Sequence, residues 1–106
     1  MFNFFGKKQY TDLGPAEFKQ TLATATNFVL LDVRTQEEYK AGHLPGAKKL
    51  DYLSGEFQAN LAGLDKEKTY FVYCRSGGRS AGACKALAKA GVAKVYNLDG
   101  GYLAWR

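Results

Sequence analysis

Histidine occurs once and cysteine twice in this 106-residue chain, and the scarcity of both narrows its chemistry. Two cysteines, Cys74 and Cys84, are too few for a disulfide framework. A helix between or under them works against a bridge, which needs Cα atoms within about 7 Å. Free thiols suit a reducing compartment, so the chain reads as cytoplasmic. His43 lies in a turn far from either cysteine in sequence, so no Cys–His catalytic pair is evident. No apolar run approaches the roughly 20 residues needed to cross a bilayer, which excludes a membrane-spanning helix. A dense basic stripe is missing too. The net charge of +5 is spread along the chain, without the clustering that nucleic-acid binding calls for. It suits a mild pull on small anions. Internal repeats and low-complexity linkers are also absent.

What remains is ordinary for one soluble globular domain, with 46% hydrophobic and 24% charged residues. The whole of 1–106 reads as that domain, with residues 1–9 as an N-terminal extension. Phe2, Phe4 and Phe5 form a short apolar patch there, followed by Lys7 and Lys8. A secretory signal has the opposite order, positive charge before a longer apolar core. The patch is expected either to pack on the domain or to serve as an interface.

Helix and strand signals alternate. Pro15 suits a first helical position and Glu17 the first turn, and Phe18 and Leu22 then share a helix face. Residues 28–33 form a continuous apolar run that fits a strand buried on both faces. Thr35 and Glu38 make a capping box, opening a short helix that ends at Gly42. A turn follows, then a brief strand over 48–52 and a short helix over 56–61. Thr69 to Tyr73 is β-rich. Alanines between Ser80 and Ala90 favour a helix, ended by Gly91 in the left-handed conformation. A last strand spans 94–98 and a helical stub 102–106. The alternation predicts an α/β fold with a mainly parallel sheet and helices on both faces.

The informative stretch is Cys74-Arg75-Ser76-Gly77-Gly78-Arg79-Ser80, between a buried strand and a good helix. Such loops lie at the C-terminal edge of a parallel sheet, where α/β proteins place their sites. Glycines let backbone N–H groups turn toward one point, and the helix start directs its own N–H groups there. With Arg75 and Arg79 as two fixed positive charges, the loop forms an anion cradle with a thiol at its base. Those surroundings are expected to lower the Cys74 pKa and hold a thiolate. Cys84, within the alanine-rich helix, reads as a packing residue, with a resolving thiol as the other reading.

Three blocks, in order, resemble the rhodanese-like family over nearly the whole chain. They are Leu31-Asp32-Val33-Arg34 with Glu37-Glu38-Tyr39 and Gly42-His43-Leu44-Pro45-Gly46-Ala47; residues 72–80; and Leu98-Asp99-Gly100-Gly101 with Ala104-Trp105. The resemblance implies a five-stranded parallel sheet flanked by helices. It implies a thiosulfate sulfurtransferase in which Cys74 takes a sulfur atom from thiosulfate or a similar small anionic donor. The Cys74 persulfide then passes it to a thiol or cyanide, with a protein thiol as a further acceptor class. Substrate would be held by Arg75, Ser76, Gly77, Gly78 and Arg79, with Asp32, Arg34 and Ser80 in support and His43 structural. For Asp32 and Arg34, direct chemistry is the alternative. Gly78 stands where many members have Asn. No metal, cofactor, nucleic acid or membrane is called for. A persulfide carrier or docking module with little turnover is the alternative. A phosphatase or arsenate reductase of the same fold fits less well, because four residues rather than five separate Cys74 from Arg79.

Overall fold

A computed structural model describes residues 9–105; the Phe2, Phe4 and Phe5 patch and nearly all of the N-terminal extension lie outside the described residues. The elements alternate as β1 (Thr11–Leu13), α1 (Pro15–Thr24), β2 (Phe28–Asp32), α2 (Gln36–Ala41), β3 (Lys48–Lys49) and α3 (Glu56–Asn60). A 3₁₀ turn at Leu61–Gly63 leads to β4 (Thr69–Tyr73), α4 (Gly78–Lys89), β5 (Val95–Leu98) and α5 (Gly101–Ala104). The five strands form one parallel sheet in the order β1-β5-β4-β2-β3.

Strand alternation divides the core in two. Tyr70, Val72 and Cys74 face Phe57 of α3 and Ala83, Cys84 and Leu87 of α4. Phe71 and Tyr73 face the other way, toward Phe18 of α1 and Leu44. Phe18 is fully buried and meets Phe71 and Trp105 edge-on, at ring-centroid distances of 5.5 and 6.1 Å. Each such pair adds about 1 kcal/mol to the burial itself.

Several local signals act as expected. Pro15 opens α1, both halves of the Thr35–Glu38 capping box form, and Gly91 adopts φ +110° after α4. Other boundaries move. β1 pairs with β5 through Thr11↔Tyr96 to Leu13↔Leu98, although its short polar sequence carries no strand signal. The strand expected over 48–52 contracts to Lys48–Lys49, because the chain then leaves the sheet edge. In β2 only Leu30, Leu31 and Asp32 are buried, while Phe28 projects at the far edge. Helix α4 starts two residues earlier than its alanines suggest, at Gly78, behind a left-handed Gly77. The terminal stub runs over Gly101–Ala104 rather than 102–106. Because every strand is parallel, residues 33–35, 50–55, 74–77 and 99–100 all emerge at one edge of the sheet.

Candidate active site

Cys74 is the first residue beyond the central strand β4, and its side chain is buried. The loop carbonyls turn away from the thiol. Cys74 O accepts from Tyr102 N–H at 2.8 Å, and Arg75 O from Leu103 N–H at 3.0 Å. Tied down in that way, the loop points N–H groups inward. Gly77, at φ +114°, makes the reversal that brings its N–H to within 3.0 Å of Cys74 Sγ. The Ser80 hydroxyl, fully buried on the first turn of α4, lies 3.3 Å from Sγ and 3.2 Å from Gly77 O.

These contacts set the thiol's acidity. Burial pushes the Cys74 thiol up, but donors from Ser80, Gly77 and Ser76 together outweigh it, and the net effect is a lowered pKa. Ser80→Ala removes the hydroxyl donor. The pH profile of Cys74 alkylation by iodoacetamide should therefore shift to higher pH in that variant, because more base is needed to form the thiolate. An unshifted profile would remove Ser80 from the cradle.

The cradle also depends on an intimate contact with α5. A Cβ on Gly101 would stand 2.4 Å from Arg75 O and 2.6 Å from Ser76 N, and Gly101 itself sits at φ +64°. Gly101→Ala is expected to cost about 3 kcal/mol, from strain and the forced shift of the loop. Gly46→Ala is the control. Gly46 shares a positive φ but has open space around it, so it should lose only the backbone share. Thermal unfolding of the two variants separates the contributions.

The two arginines differ in a way that spacing does not show. Arg75 is exposed. Arg79 is not a free positive charge, because Glu38 clasps it with two bonds, at 2.9 and 3.1 Å. The capping box causes this: it anchors the Glu38 carboxylate through Thr35, at the same sheet edge. The bonds from Arg79, more than those from Thr35, lower the Glu38 pKa from 4.5 to about 2. Glu38 is the site residue that sequence reading missed, although its place in a capping box was plain.

Asp32 and Arg34 make no hydrogen bond to Cys74; they brace the ground beneath it. Asp32 Oδ1 accepts from Arg34 N–H at 3.0 Å and Nε at 2.9 Å, and Oδ2 from Arg34 Nη2 and the Tyr73 hydroxyl, both at 2.7 Å. Arg34 also donates to Gly42 O at 2.7 Å, and its guanidinium lies 4.4 Å from the centre of the Tyr102 ring. Burial pushes the Tyr73 phenol up, so it stays protonated; its oxygen also accepts from Leu44 N–H at 3.0 Å. His43 is exposed and stacks on Tyr39 at 3.8 Å. Cys84 is fully buried, with its thiol pushed up by burial and directed at Tyr96 O, 3.8 Å away. Donors thus face the Cys74 sulfur, whereas the Cys84 thiol faces a carbonyl and hydrophobic neighbours. A groove of about 650 Å³ along α1, lined by Pro15, Lys19 and Ala104 among others, carries no thiol, hydroxyl or carboxylate side chain. Chemistry rather than volume singles out the Cys74 loop.

The class defined so far is a parallel α/β domain with a cradled cysteine at the end of its central strand. Residues 14–106 match the family model of the rhodanese-like domain. The chain is 33% identical over 94 residues to a sulfurtransferase of Allochromatium vinosum, covering 89% of this chain and 86% of that protein. It is 36% identical over 81 residues to the thiosulfate sulfurtransferase GlpE of Pseudoalteromonas translucida, covering 73% of this chain and 71% of that one. The crystal structure of a rhodanese-like domain protein from Staphylococcus aureus matches with a TM-score of 0.78 at 30% identity, over 91% of each chain. The chain belongs to the rhodanese-like domain family.

Proposed function

We propose that the chain moves a sulfane sulfur from thiosulfate or a similar small anionic donor to a thiol or cyanide, through a persulfide on Cys74. The observation that carries this reading is the Cys74 sulfur held at 3.0 Å from the Gly77 N–H and 3.3 Å from the Ser80 hydroxyl. Donors aimed at a buried sulfur stabilise its anion before attack. In the first step the Cys74 thiolate attacks the outer sulfur of thiosulfate. A Cys74–sulfur bond forms, the donor's S–S bond breaks, and sulfite leaves with the bonding pair. The persulfide anion then sits among the N–H groups of the loop. In the second step an acceptor nucleophile takes the outer sulfur and returns Cys74 to its thiolate.

Ser76, Gly77 and Gly78 contribute the backbone of this cradle, and Arg75 contributes attraction from its exposed rim. The pairing of Arg79 with Glu38 favours sulfur over phosphoryl transfer, since a phosphate would need that guanidinium directed inward. Two free buried thiols support a reducing, cytoplasmic setting.

Incubation with thiosulfate should add the mass of one sulfur atom to the peptide containing Cys74. Subsequent cyanide or glutathione should remove it, with turnover continuing while donor lasts. Loading followed by a single discharge and no turnover would turn the reading to a persulfide carrier. No mass gain at Cys74 would overturn both.

A further inference from the structure

Glu38 takes no part in the sulfur chemistry above, yet it faces the loop that does. Its carboxylate is held from two directions. Thr35 donates from its N–H at 3.0 Å and its hydroxyl at 3.2 Å; Arg79 donates from Nη1 at 2.9 Å and Nη2 at 3.1 Å. Arg79 belongs to the first turn of α4, five residues beyond Cys74, and its side chain is only 20% exposed. Cys74 and Asp51 are both within its electrostatic reach. A guanidinium clasped by a carboxylate presents almost no net charge to an arriving anion. Arg75 is left as the loop's exposed cation.

We propose that Glu38 is a specificity-determining residue, which neutralises Arg79 at the rim and so tunes the cradle toward sulfur donors bearing one negative charge rather than two. The inference rests on sulfur transfer through Cys74. Two donors with the same reacting sulfur test it, because they differ by one charge. Thiosulfate is a dianion and releases sulfite. Methanethiosulfonate is a monoanion and releases methanesulfinate. In each case the Cys74–sulfur bond forms as the donor's S–S bond breaks, the leaving group takes the bonding pair, and no outside oxidant or reductant enters.

Glutamine is an accepted partner in a capping box, so Glu38→Gln keeps the shape of α2 while freeing the charge on Arg79. The ratio of kcat/KM for thiosulfate to kcat/KM for methanethiosulfonate should rise about tenfold in this variant, the size expected of one unit charge acting on one more. Added salt should shrink that rise. Thr35→Val is the structural control: it removes the cap's hydroxyl but keeps the backbone N–H of residue 35 on the Glu38 carboxylate and both bonds from Arg79, so it should lower the melting temperature and leave the ratio unchanged. If both donors slow equally in Glu38→Gln, Glu38 is only a scaffold of α2 and the proposal fails. If neither donor loads Cys74 in the parent protein, the sulfur-transfer reading itself has failed, a result readily told apart from an unchanged ratio.

Discussion

Cys74→Ser should abolish thiocyanate release from thiosulfate and cyanide, with a loss of at least about a thousandfold, while Cys84→Ser keeps most of the parent activity. The two thiols share one hydrophobic cluster, and burial pushes both up. Only at Cys74 do donors outweigh that burial. Cys74 Sγ lies against the Gly77 N–H and Ser80 hydroxyl, whereas Cys84 is directed at a carbonyl, which disfavours an anion. A serine hydroxyl at position 74 would stay protonated near neutral pH and could form no persulfide. Persistent thiocyanate release by Cys74→Ser would sink the proposed mechanism. Loss in Cys84→Ser alone would assign the chemistry to the wrong thiol. Because Cys84 is fully buried, its variant should be assayed well below its melting temperature.

The second large effect concerns stability. Arg34→Leu should lower unfolding free energy by about 3–5 kcal/mol, since it strands the Asp32 carboxylate in the core. For a domain of this size that corresponds to a fall in Tm of roughly 15 °C or more. Asp32 is 0% exposed and Arg34 4%, so water cannot replace the lost donors without opening the structure. Activity should fall as well, even at temperatures where the variant is folded. Arg34 packs on the Tyr102 ring, and Tyr102 N–H holds Cys74 O at 2.8 Å. Calorimetry and the thiocyanate assay, run on the same variant, separate the two losses. A Tm within about 3 °C of the parent would show that the pair contributes far less than buried-pair energetics expect.

Where local chemistry decided the outcome, the sequence was legible. Tyr70 to Tyr73 are large, β-favouring residues, and β4 covers the expected span from Thr69 to Tyr73. Thr35 and Glu38 needed only each other to form a capping box, and Pro15 needed only its own ring to open α1. The cradle around Cys74 was legible for the same reason, because its donors, Gly77 and Ser80, lie within six residues of it.

What escaped notice was set at long range. β1 exists because β5 offers an unpaired edge, not because Thr-Asp-Leu prefers to be extended. Gly78 is a poor helix former, yet it starts α4 because Gly77 reverses the chain there. The pairing of Glu38 with Arg79 joins residues 41 positions apart, and no spacing rule connects them. For Asp32, Arg34 and Tyr73, motif reading marked the first two as support, but the phenol that completes their network looked like one more strand aromatic.

The dependence of the Cys74 loop on Tyr102 and Leu103 has a consequence for biosynthesis. A ribosome delivers Cys74 well before the two amides that hold the carbonyls of Cys74 and Arg75. During that interval the thiol exists without its finished cradle. Among the described residues β1, the first strand made, likewise waits for β5, the last. The Cys74 cradle is thus assembled by the meeting of early and late chain, and a truncated product carrying Cys74 would lack the bonds that shape it.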